Sequence, residues 1–234
     1  MPFVASKCLT RTTGRLVLVI LCMLAVSSTR ASAVETEVRD FAIEVDGKAC
    51  GHYLMTITRH DKETLSMQAE AKLKVKAWLV TVEYSFSGIE YWRNGRLIEM
   101  TAKCNDDGTK YDVVAKANGQ ELRLTVNGKQ RDCRGDVWTT SYWMLPDKRF
   151  FNAAVPLLDA DCGKEYGAQL QYVGVKEVNV GGQIQNCYHF RVSGGPNSPV
   201  ELFYDGQHRL ARQEFTEQGK RVVFNLRSVV KKGG

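Results

Sequence analysis

The sequence predicts an all-β fold, mainly antiparallel. The expected form is a single strongly curled sheet or open β-barrel of roughly eleven strands, with one short helix or irregular segment near residues 139–158. Three observations lead there. Apolar and polar residues alternate strictly over long stretches. Turn sequences recur about every ten residues, as in an antiparallel meander. The pattern breaks at one place, Thr139 to Pro146, where aromatic, hydroxyl and proline residues crowd together.

The first thirty-three residues form a unit of their own. Lys7, Arg11 and Arg15 precede an apolar run from Leu16 to Val26, and Ala31-Ser32-Ala33 follows. Those are the three parts of a secretory signal peptide, cleaved near Ala33. The apolar run is shorter than the ~20 residues a transmembrane helix needs. An uncleaved signal anchor is the alternative. Cleavage leaves residues 34–234 as a single antiparallel β domain, periplasmic or secreted, with no transmembrane segment.

Along that domain, Phe41, Ile43 and Val45 alternate with polar neighbours, and Asp46-Gly47 turns the chain. Tyr53, Met55 and Ile57 continue on a second strand. From Met67 to Leu79 the odd positions are apolar and the even ones are mostly charged. Composition there favours a helix, but a helix would carry the lysines around to its buried side, whereas a strand keeps them on one face. A bend is expected near Trp78-Leu79-Val80. Val82, Tyr84 and Phe86 resume the pattern, and Gly88 suggests a bulge or bend. Asn94-Gly95, Asn105-Asp106-Asp107-Gly108, Asn118-Gly119 and Asn127-Gly128 then mark successive hairpins. After the break, Asp147 to Leu158 reads as a short helix stopped by Pro156. Strands resume near Tyr166 and run, with turns at Gly181-Gly182, Asp205-Gly206 and Gln218-Gly219, to Val230. A two-sheet sandwich is the alternative architecture.

Charge and cysteine usage narrow the chemistry. The chain has 32 basic and 26 acidic residues, and the leader takes four of the basic ones, so the mature balance is close to neutral. No basic stripe is interleaved with aromatics, which argues against nucleic acid as a partner. Five cysteines follow the leader: Cys50, Cys104, Cys133, Cys162 and Cys187. Export permits disulfides. Cys133 and Cys162 flank the break and are the candidate pair. The other reading makes most of the five small buried residues. No CxxC or CxxH spacing supports zinc.

His52, His60, His189 and His208 show no metal-ligand spacing. Cys187 and His189 share a strand face, but a cysteine nucleophile also needs an orienting third group. Asn105 to Gly108 lacks the distal glutamate of a calcium loop and reads as a turn. No metal site, cofactor or catalytic residue is expected. The aromatic residues Trp78, Trp92, Trp138, Trp143, Tyr142, Phe150, Phe151 and Tyr204 fit two pictures. They line a cavity for an apolar ligand, or they plug the core.

Val45-Asp46-Gly47-Lys48 with Gly51, Trp92-x-Asn94-Gly95, Thr140-Ser141-Tyr142-Trp143 and Leu202-Phe203-Tyr204-Asp205 with Arg209-Leu210 together carry a resemblance. The chain resembles an uncharacterised family of exported bacterial proteins, known as a domain of unknown function. It is more distantly similar to another uncharacterised periplasmic β family. Phe203 stands where such families usually have tryptophan. The resemblance implies an antiparallel half-barrel like that of periplasmic lipoprotein carriers, and it brings no known activity.

The expected function is therefore an exported binding or carrier module for an apolar or lipid-like ligand. Ser141, Tyr142, Trp143, Trp92, Tyr204 and Asp205 are its candidate lining or joint residues. The alternative is a structural or interaction domain of the envelope with a filled core and a protein partner. An enzyme with no recognisable motif is the third reading. The position of Thr139 to Pro146 separates the first two, as a rim or as a plug.

Overall fold

The computed structural model describes residues 34–77 and 80–233, the side chains of residues 75–82 excepted. The leader, its cleavage point and Trp78 lie outside the described residues. The rest forms one sheet of fifteen strands. A first meander holds β1 (Glu35–Val45), β2 (Lys48–Arg59), β3 (Thr64–Ala77), β4 (Val80–Arg93), β5 (Arg96–Asp106), β6 (Thr109–Asn118), β7 (Glu121–Val126) and β8 (Lys129–Arg134). A second holds β9 (Trp138–Thr139), β10 (Ala153–Leu158), β11 (Glu165–Val180), β12 (Gln183–Ser193), β13 (Val200–Tyr204), β14 (Leu210–Glu217) and β15 (Lys220–Lys232).

Each strand pairs with its sequence neighbours, and β1 pairs with β15 to weld the two meanders. All pairings are antiparallel except β9 with β10. The two edges of the sheet, β8 and β9, are consecutive in sequence but do not pair, so the sheet is not closed. Positive φ at Asp46 and Gly47, and at Asn94 and Gly95, gives hairpin turns whose twist matches the strands.

Register follows the alternation. Phe86, Ala71, Tyr53, Phe41 and Leu226 lie on one line across β4, β3, β2, β1 and β15, and all are buried. A second line, Arg39, Met55, Ala69, Gly88 and Ala102, also faces inward. Its residues on β3, β4 and β5 are small, which leaves room inside the curl.

Three expectations are corrected. The strands number fifteen, not about eleven; two of the additional ones are β9, too short to show a period, and β10, whose sequence reads as helix. Within Asp147 to Leu158 only Lys148–Phe150 is helical, as a single 3-10 turn. Ala153 to Leu158 is a strand, and Pro156 is tolerated because β9 pairs only with Leu157 and Leu158, leaving Pro156 on an edge. Gly88 is no bulge, since its pairing with Ala69 and Ala102 is regular. Its missing side chain makes room for the Phe86 ring, whose Cζ lies 2.8 Å from where a Cβ would stand. The bulge falls between Tyr91 and Trp92.

Candidate functional site

The segment from Thr139 to Pro146 begins at the end of β9, and its first half lies inside the curled sheet. Thr139, Ser141, Tyr142 and Trp143 are all buried. It is a plug, not a rim, and three walls of the sheet hold it.

The first wall is β4. Glu90 and Trp92 both face inward there. Glu90 is 2% exposed. Its Oε2 accepts the indole N–H of Trp92 at 2.8 Å, the indole N–H of Trp143 at 3.1 Å and the hydroxyl of Thr139 at 3.2 Å. Ser141 hydrogen-bonds to Thr139 at 2.7 Å and so backs the Thr139 hydroxyl. Burial pushes the Glu90 carboxyl above its usual range, and the hydrogen bonds around it, that of Trp92 first, oppose the rise. The two indoles meet edge to face, 6.4 Å apart.

The second wall is β1. Arg39, 6% exposed, donates to the carbonyl of Trp143 at 2.8 Å and to Glu37 Oε1 at 2.6 Å. Burial lowers the guanidinium's proton affinity, and Glu37 opposes that. Glu37 in turn faces Arg209 at 3.6 Å. Arg209 is held by Asp205, its Nε donating to Oδ2 at 2.8 Å. Asp205 Oδ1 also accepts the backbone N–H groups of Gln207 and Arg209. Asp205 thus shapes a turn and anchors the charge network.

The third wall is β13. The Tyr204 hydroxyl donates to the carbonyl of Tyr142 at 2.8 Å. Tyr142 has φ 48, and its ring packs edge-on against Trp138 at 4.8 Å. Its own hydroxyl is buried without a partner among the described residues. Trp138 donates its indole N–H to Met144 O at 2.8 Å, which tightens the segment on itself.

The structure brings Ser141, Tyr142, Trp143, Trp92 and Tyr204 together, with Asp205 one link removed. It adds Glu90, Arg39 and Glu37, which sequence reasoning passed over. A signal was present, since each is a charged residue on the apolar parity of its strand.

The Cys133–Cys162 bond is absent. All five cysteines carry free thiols. Cys162 donates to Asp159 at 3.3 Å, while Cys133 is buried beside β7. Burial pushes both thiols up to about 11, so neither is readily ionised. Cys187 is fully buried. His189 instead meets Glu201 at 2.5 Å and stacks on Phe203, so the Cys187–His189 pair does not form.

One end of the interior is different. The line next to the buried one holds Tyr84, Leu73, Gly51, Ile43 and Phe224. Tyr84, Leu73 and Phe224 are only partly buried there, as is Phe215. Asp161, from the loop after β10, accepts the Tyr84 hydroxyl at 2.9 Å. Burial, then the nearby Asp159, pushes the Asp161 carboxyl up to about 7.

On the outer face of β3 to β6 lie two grooves of about 440 and 380 Å³. Both touch Ser87, Lys103 and Asp112, so they adjoin.

No helix among the described residues is long and apolar enough to cross a membrane, and no group of three metal-ligating side chains occurs among them.

No curated protein matches the sequence. Among solved structures, the chain is similar to a β-barrel-like protein of the domain of unknown function DUF1849 from Brucella abortus. That match has a TM-score of 0.60 at 8% identity and covers 86% of this chain and 98% of that one. It shows a shared fold. A LolA superfamily protein from Nitrosomonas europaea aligns at a TM-score of 0.23 and 8% identity, over 86% of each chain. The family model of DUF6134, a domain of unknown function, matches residues 41–227, and the chain belongs to that family.

Proposed function

We propose that this chain is an exported binding or scaffolding module of the cell envelope whose centre is filled and whose working surface is external. The observation that carries this is the seat of Trp143. Its ring lies 4% exposed in the middle of the sheet, its indole is bonded to Glu90 and its carbonyl to Arg39. A ligand threaded through the middle would have to expel it and strand a buried carboxylate, which is costly. In this reading the protein works by binding, not by catalysis. The leader supports a location outside the cytoplasm.

Native mass spectrometry of the protein purified from its own envelope tests the reading. The expected spectrum contains the mature chain with no stoichiometric lipid. A retained lipid would overturn it.

A second reading has a specific observation behind it. The half-exposed Leu73, Tyr84, Phe215 and Phe224 around Asp161 would suit a short apolar group entering one end only. Retained lipid that is lost in a Leu73→Asp variant would favour this second reading.

A further inference from the structure

The outer groove of about 440 Å³ is built by a pattern of side-chain length. On β4 the outward residues are Ser85 and Ser87. The flanking strands carry long side chains, with Lys72 on β3 and Lys103 on β5, and Lys110 stands one strand farther on, on β6. A short floor between tall walls makes a channel along β4. Its size is within the usual range for small-ligand sites, roughly 300–1,000 Å³.

Register divides the channel into rows. Lys72, Ser85, Asn105 and Lys110 face one another across four strands. That row has two cations and no carboxylate, and it spans about 14 Å at ordinary strand spacing. The next row is Glu70, Ser87, Lys103 and Asp112, which mixes both charges with a hydroxyl. The adjoining groove continues past Ser87 to Gln68 and Thr101, which are neutral hydrogen-bonding groups. Neighbouring lysines are neutralised, Lys74 by Glu83 and Lys116 by Glu99. Lys72, Lys103 and Lys110 have no ion pair among the described residues.

The geometry points to a binding site for the phosphate ester of a sugar or polyol, the phosphate between Lys72 and Lys110 and the hydroxyls over Ser87, Glu70 and Asp112. Two ammonium groups around a small polar floor suit a compact anion. Carboxylates and amides farther along suit hydroxyl donors. The site deepens the external-surface reading above and rests on it. The same chemistry occurs in a soluble sugar phosphate and in a phospholipid headgroup bearing glycerol.

The test is a titration of the ¹⁵N-labelled mature chain, read by amide chemical shifts at Ser85, Ser87 and Asn105. The probes are glucose 6-phosphate, inorganic phosphate, maltotriose and phosphatidylglycerol vesicles. Saturable shifts with glucose 6-phosphate or with the vesicles are expected, and which of the two responds assigns the source. A Lys72→Ala/Lys110→Ala double variant is expected to bind at least tenfold more weakly with an unchanged melting temperature. Lys129→Ala, on the β8 edge, is expected to bind normally. Three results would overturn the site: no saturable shift with either phosphate ester, equal binding by the double variant, or maltotriose binding as well as glucose 6-phosphate. Inorganic phosphate binding as tightly as the sugar ester would overturn the polyol part. Failure here with no lipid retained in native mass spectrometry leaves the filled interior standing, whereas retained lipid removes the filled interior whatever the groove binds.

Discussion

Trp92 and Trp143 donate their indole N–H groups to the same oxygen, Oε2 of Glu90, at 2.8 and 3.1 Å. One tryptophan belongs to the wall of the sheet and the other to the segment inside it. A single buried carboxylate thus fastens the plug to the wall, with Thr139 completing its donors and Ser141 bonded to Thr139.

Glu90→Leu keeps the volume and removes the acceptor. Two indole N–H groups and the Thr139 hydroxyl then lose their partner, at about 1–3 kcal/mol for each group left unsatisfied. Relaxation offsets part of this, and the expected loss is about 3 kcal/mol or more by denaturant unfolding. Glu90→Gln retains one acceptor oxygen and is expected to cost less.

The two tyrosines of the plug region should behave oppositely. Tyr204→Phe removes the donor to Tyr142 O and is expected to cost about 1–2 kcal/mol. Tyr142→Phe removes a hydroxyl that is buried without a partner and is expected to be neutral or stabilising. A destabilised Tyr142→Phe variant would mean that an ordered water or ligand serves that hydroxyl.

Gly88→Ala places a methyl 2.8 Å from the Phe86 ring and 3.2 Å from the Ala102 Cβ. Overpacking of this kind costs about 1–3 kcal/mol. The expected readout is a lower urea midpoint with an unchanged slope.

Asp161 should leave a mark on the pH dependence of stability. Its carboxyl rises from 3.8 to about 7 on folding, through burial first and Asp159 second. A raised carboxyl favours the folded state below the unfolded value, and that contribution is lost as pH climbs through the folded one. The melting temperature of the wild type relative to Asp161→Asn is therefore expected to fall between pH 4 and pH 7. A flat or rising difference would contradict the raised carboxyl.

Much of the fold was legible because a half-buried strand writes its two faces into alternate residues. The run from Met67 to Leu79 reads as a strand despite its helical composition, since Gln68, Glu70, Lys72 and Lys74 share one parity, and β3 spans Thr64–Ala77. Strand β9 was not legible, because two residues carry no period. Strand β10 was obscured by Ala153, Ala154 and Pro156, whose composition suits a helix start as well as an edge. Residues 139–146 stood out in sequence, but whether they rim or fill the curl depends on contacts with Arg39 and Glu90, 104 and 49 residues distant from their partners. Alternation along a strand carries no information about such distant partners. The free thiols of Cys133 and Cys162 were equally invisible to a count of cysteines.

Indole binding discriminates a filled interior from an open one. Trp143→Ala removes a buried indole and should cost about 3–5 kcal/mol, leaving an apolar hole. Small aromatic molecules occupy such holes, and a ligand that binds only the folded state raises its melting temperature. Indole is expected to raise the melting temperature of Trp143→Ala in a saturable way and to leave the wild type unchanged. A wild-type protein that binds indole as well as the variant does would show that Trp143 does not fill the sheet.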